Sequence, residues 1–247
     1  MAQLEIPELA IAIAAENHNP TVLNADFLVY NGIVPTEWTP SEDRLSTPVL
    51  SQVSYQGQGV GIVSQPDKVI FTRTNGDIRK KDDPDVAAIA AKYVEALPHV
   101  QYKALAASVQ GHVIVEAGME EAKKQAIARY VARGPWCDYA DGLDEASVTL
   151  TYKLENGTLR LTIGPALYVR AASPKDAEGL ASEGEAKDNE ELPVIHYSAN
   201  FQDDVVGEAR EERVANLVER LSRWREWLDT YVELVEQKLL IAEVGNG

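Results

Sequence analysis

Cysteine, histidine and the bulkiest apolar residues are scarce in this chain. Its 247 residues include one cysteine, four histidines, two methionines and three phenylalanines. A single cysteine closes no intramolecular disulfide and supplies no thiolate pair for a zinc site. The histidines, His18, His99, His112 and His196, are scattered, with no i, i+4 pair to set two imidazoles on one helix face. No apolar run approaches the roughly 18 to 20 residues of a membrane span. The first residues, "MAQLEIPELAIAIAAE", have no basic start and only a short apolar stretch before Glu16. A cytoplasmic protein is the expectation.

Basic side chains are also few, 23 against 39 acidic ones, for a formal net charge of -16. Such a chain repels phosphate backbones, and direct nucleic-acid binding is not expected. Part of the excess lies in residues 171–191, "AASPKDAEGLASEGEAKDNEE", but the rest of the chain is acidic as well. That segment reads as a flexible insertion in a loop. Local catalytic signatures are missing too. The glycine pattern "YQGQGVG", Tyr55 to Gly61, lacks the lysine followed by serine or threonine of a phosphate loop and runs into a strand. No serine stands between glycines on a strand-to-helix turn. No metal, cofactor or catalytic set is expected.

What is present is periodicity. "PELAIAIAA" alternates as a strand, and "PVLSQVSYQ", "GVGIVSQ" and "KVIFTRT" read as a meander broken at Gly57, Gly59 and Pro66-Asp67. Asp82, Asp83 and Asp85 cap a helix that continues as "VAAIAAKYVEAL". The second half repeats the order: the strand "VQYKALAASVQGHVIVE", the helix "MEEAKKQAIARYVA", a hairpin "SVTLTYKLENGTLRLTIG", the strand "LPVIHYSANFQ" and a long helix. With Asn156-Gly157 as the hairpin turn, Leu154 faces Leu159, Tyr152 faces Leu161 and Leu150 faces Ile163. Asp203, Asp204 and Glu208 read as caps of the last helix. The fold class expected is α+β: a mostly antiparallel sheet of about seven strands in two similar halves, 1–100 and 101–247, with three main helices. The last of these is a long C-terminal helix from about residue 207.

Two surfaces stand out as partner sites. Along the C-terminal helix, Leu217, Leu221, Trp224, Leu228, Tyr231 and Val235 form a seam, and Trp227 and Leu234 widen the apolar face. The segment before the meander carries Phe27, Tyr30 and Trp38 in a long stretch with little regular pattern. Trp224, Trp227, Tyr231, Leu234, Phe27, Tyr30 and Trp38 are therefore the expected partner-binding residues. "ARGPWCDYADG", which holds Cys137, reads as a turn after a helix-ending Gly-Pro. The function expected is a non-catalytic interaction module, an accessory subunit, adaptor or immunity-type inhibitor. Its acidic surface would hold a basic protein partner, or its C-terminal helix a second copy. The alternatives are an enzyme with a dispersed site drawn from His112, His196, Cys137, Asp203 and Asp204, or a small-ligand sensory domain.

Overall fold

The first strand, β1 (Glu5–Glu16), sets the plan. It alternates large and small apolar residues: Leu9, Ile11 and Ile13 are buried, while Ala10, Ala12 and Ala14 between them are half-exposed. Successive side chains of a strand point to opposite faces, so this strand has a bulky side and a small side. The computed structural model describes residues 3–74, 76–80, 84–155, 157–170 and 190–240.

Around β1 lie β2 (Leu45–Ser46), β3 (Ser51–Tyr55), β4 (Val60–Gln65), β5 (Lys68–Arg73), β6 (Gln101–Ile114), β7 (Val148–Leu154), β8 (Gly157–Arg170) and β9 (Glu190–Asp204). All nine form one antiparallel sheet in the order β2-β3-β4-β5-β1-β6-β9-β8-β7. The sheet thus has nine strands, not about seven. The runs read from the sequence account for eight of them, and the one they lack is the two-residue β2, too short to leave a periodicity. In each half a long strand is followed by a meander whose last strand returns to pair with it, β5 on β1 and β9 on β6. The halves share the sheet through the β1–β6 ladder.

Among the described residues the α-helices number five: α1 (Ala25–Tyr30), α2 (Val86–Ala96), α3 (Met119–Tyr130), α4 (Arg210–Ser222) and α5 (Arg225–Val232). The expected single C-terminal helix is interrupted at Arg223–Trp224 and continues past α5 as a π-helical stretch, Glu233–Leu239. α1 lies inside the segment expected to be irregular, and Asn24 caps it by accepting from the Phe27 amide at 2.8 Å. Asp85 caps α2 through the amides of Ala87 and Ala88. Asp82 and Asp83 lie outside the described residues, as do residues 171–189 of the acidic segment; Glu190 and Glu191 belong to β9. α4 is capped otherwise than expected. Glu212 reaches back to the amides of Glu208 and Ala209, while Asp203 stays in β9 and pairs with Arg220 at 2.7 Å.

The β7–β8 hairpin is present with its pairing shifted by two residues. Leu154 faces Gly157, Tyr152 faces Leu159 and Leu150 faces Leu161. Asn156 lies outside the described residues. Gly157 belongs to the ladder because of close approach: a Cβ there would collide with the Gln202 carbonyl oxygen of β9. An even shift leaves each residue on its expected face. Thr151, Lys153, Arg160 and Thr162 are exposed accordingly.

The core fills one side of the sheet. Leu9, Ile11 and Ile13 meet Val69 and Phe71 of β5, Leu105 and Val109 of β6, Leu161 of β8 and Phe201 of β9, all beneath helices that contribute Tyr93, Leu217, Leu221, Leu228 and Tyr231. His18 is a core residue here. Its Nδ1 lies 3.0 Å from Ser64 Oγ and its Nε2 3.0 Å from Tyr93 Oη, which ties the chain after β1 to β4 and α2. Both partners are buried, so this Ser-His-Tyr set is structural.

Burial holds His18 below the ordinary imidazole range, with the nearby His99 lowering it further. A histidine neutral in the fold and free to protonate when unfolded gives stability that is complete above the unfolded value of about 6.5. That stability is lost as the pH falls from there toward the folded value. Urea titrations should therefore show a falling midpoint below about pH 6.5, with a shallower fall in His18→Gln. Equal slopes in the two proteins would place the acid sensitivity elsewhere.

Candidate functional site

Every helix contact described above is with the bulky side of the sheet. The other side is open, and its composition is unusual for a solvated sheet face, where polar residues alternate with the buried ones. The outward positions of the central strands are Ala10, Ala12 and Ala14 of β1, Ala104, Ala106 and Ser108 of β6, and Val63 and Ile70 of β4 and β5. Uncharged amides and hydroxyls flank this floor: Gln52 and Ser54 on one side, Ser198, Asn200 and Gln202 on the other. Among the described residues the charges of this face stand toward its ends and edge, among them Glu8, Lys68, Lys153, Arg160, Asp204, Arg170 and Glu190. On a chain of net charge -16, the centre of the face is uncharged. A depression of about 650 Å³ opens in it, floored by Ala12, Ala14, Ala104 and Ala106 and bounded by Thr158 and Gln202 and by the charged Lys68, Asp203, Asp204 and Arg220.

At the other end of the same face the sheet brings two histidines together. His112 of β6 and His196 of β9 are direct cross-strand partners. Gln110, two residues before His112, accepts from or donates to each neighbour in turn: His196 Nε2 lies 3.1 Å from its Oε1, and its Nε2 donates to Glu8 Oε1 at 3.4 Å. This chain puts the proton of neutral His196 on Nε2 and leaves Nδ1 as an acceptor. His112 is only 1% exposed, stacked against Tyr168 of β8 with ring centroids 4.0 Å apart. Its Nε2 is 3.5 Å from Glu5 Oε2, close enough for attraction, yet it makes no hydrogen bond among the described residues. Arg170 holds the same Glu5 oxygen at 3.3 Å. A pocket of about 260 Å³ lies against Glu8, Gln110, His112, Tyr168, Val194 and His196.

Both imidazoles are held below their ordinary range, by burial first. For His112, Glu5 opposes that effect, whereas His196 and Arg170 add to it. Burial also pushes the Glu8 carboxyl up. Near neutral pH the cluster therefore presents two uncharged rings beside the Glu5 and Glu8 side chains. Among the described residues no group of three or more His, Cys, Asp or Glu side chains converges to hold a metal ion.

The residues expected to meet a partner lie mostly inside the fold. Trp224 is buried, and its Nε1 donates to Asp85 Oδ2 at 3.3 Å. Tyr231 is fully buried, its hydroxyl donating to the Tyr197 carbonyl at 2.9 Å. Trp227 stacks on Phe201, and Leu234 lies half-buried against the core. Phe27 meets Tyr93 edge-on and Trp38 meets Tyr55 in the same way. Tyr30 alone of the seven is well exposed, at 91%. Cys137 sits in a single 3₁₀ turn, Pro135–Asp138, whose amide bonds back to Gly134; Trp136 and Tyr139 beside it are exposed. Of the dispersed catalytic candidates, His112 and His196 line one pocket, Asp203 and Asp204 line the depression over the alanines, and Cys137 lines neither.

Sequence reasoning missed Glu5, Glu8, Gln110 and Tyr168. Gln110 and His112 share a face by their i, i+2 spacing, which was readable; their union with Glu8, Tyr168 and His196 depends on the register of four strands. The fold and site thus define an α+β protein with one side of a single antiparallel sheet covered by helices and the other open. No protein-family model, curated protein or solved structure matches the chain. No helix among the described residues is long and apolar enough to cross a membrane.

The electrostatics of His112 can be read directly. Glu5→Gln removes the charge that favours the imidazolium and should lower the His112 pKa further, whereas Arg170→Gln should raise it. Histidine ring-proton shifts followed by NMR across pH check both signs. Shifts in the same direction would contradict this geometry.

Proposed function

We propose that the protein is a non-catalytic interaction module, an adaptor, accessory subunit or inhibitor, whose working surface is the open face of the sheet. The supporting observation is the charge-free, alanine-floored centre of that face on a chain of net charge -16. Interface cores are depleted in charged residues, and small side chains let a partner's backbone or apolar side chains come close. The partner that fits is a different protein presenting an uncharged apolar patch, with basic residues beyond the mixed charges of the rim. The patch would seat in the depression over Ala12 and Ala106 while the basic residues meet the acidic remainder of the chain. A second copy fits less well, since two chains of this charge repel one another. The aromatic face of the C-terminal helices is occupied by the core, which moves the expected partner surface to the other side of the molecule.

The test pairs partner capture with mass measurement. The full chain and an Ala12→Glu/Ala106→Glu variant are used to isolate cross-linked complexes from the source cells at low and high salt. Light scattering gives the mass of each purified protein. The reading predicts a stoichiometric complex with a basic protein that the double variant loses and that salt weakens, from a chain that is monomeric alone. A complex indifferent to the double variant would overturn the assignment of the surface. A dimer that the variant splits would replace the heterologous partner with a second copy.

A further inference from the structure

We propose that the pocket beside His112 and His196 binds a small organic cation, a primary ammonium on a short apolar body. The argument starts from the groups that line it. Glu8 has one polar partner among the described residues, the Gln110 amide at 3.4 Å, and meets no cation there. A carboxylate partly withdrawn from water without a counter-charge favours a bound cation. The Gln110–His196 hydrogen bond leaves Nδ1 of neutral His196 as a second acceptor, so the pocket is rich in acceptors where an ammonium has three donors.

A second observation points the same way. His112 lines the pocket at 1% exposure, and its buried Nε2 makes no well-aligned hydrogen bond among the described residues, with Glu5 Oε2 at 3.5 Å as its neighbour. The one cation of the cluster, Arg170, is engaged with Glu5 and lies outside the pocket lining. The remaining walls, Pro7, Ala166, Leu167, Val194 and the Tyr168 ring, are apolar or aromatic. The volume of about 260 Å³ is that of roughly nine liquid waters and suits a body of a few carbons. An anion is disfavoured by Glu8, the acidic side chain of the pocket lining, which holds no Lys or Arg. This site does not depend on the partner reading, because no group that defines it belongs to the alanine floor.

Titration of the full chain with n-butylamine tests it, with sodium butyrate and 1-pentanol as probes of similar length and different head group. Histidine ring-proton shifts and calorimetry are read at constant pH. The expected result is saturable binding of the amine that moves the His112 and His196 signals, with no saturation by butyrate or pentanol. Glu8→Gln, a near-isosteric change at a half-exposed position, should weaken amine binding about ten-fold or more while the circular dichroism spectrum stays unchanged. Absence of saturable amine binding, equal binding of butyrate, or unchanged affinity in folded Glu8→Gln would each overturn the proposal.

Discussion

The pairing of β1 with β6 is the constraint on which the rest of the molecule depends. It joins the two halves at the middle of the sheet, with Ile11 opposite Ala107 and Ala12 opposite Ala106, and irregularities near Pro7 and at Ala14–Ala15. A slip of one residue would turn Leu9, Ile11 and Ile13 to the open side and leave alanines facing the helices. The large-small alternation of β1 therefore specifies register and sidedness together. Once β1 and β6 are set, β5 and β9 follow on their outer edges, and the meanders complete the sheet.

Sidedness then explains the helices. Most of the bulky apolar surface lies on one side, and α2, α3, α4 and α5 cover that side. The C-terminal segment bends to do so. At Trp224 the chain turns the indole into the core against Asp85, with the Arg225 guanidinium 4.7 Å over the ring. The seam of Leu217, Leu221, Leu228 and Tyr231 covers the sheet, with Trp224 buried beside it. The open side is left with small and uncharged groups, and its end holds the histidine pair.

Much of this was legible in the residues, and what was not has physical reasons. The alternation in "ELAIAIAA", the meander and the cap at Asp85 are local patterns, and local patterns survive in a sequence. β2 is too short for any periodicity, and α1 was hidden although Asn24 carries its cap. The hairpin misled because Asn-Gly normally marks a turn, whereas here Gly157 is needed for its closeness to Gln202. The histidine cluster was visible only as separate residues. Its assembly requires β1, β6, β8 and β9 to be in register, and no spacing along the chain encodes that.

The claim that the sheet has one structural face and one free face can be tested on neighbouring residues of the same strands. The measurement is the urea unfolding free energy of Ala106→Glu and Ala107→Glu, and of Ala12→Glu and Ile11→Glu. The account predicts changes within about 0.5 kcal/mol at Ala12 and Ala106, as for ordinary surface positions. At Ile11 and Ala107 it predicts loss of the folded state or destabilisation of more than about 4 kcal/mol, because a carboxylate is forced into the core. Comparable damage at Ala12 and Ala106 would mean that the open face is itself buried in the working molecule, and would contradict the account.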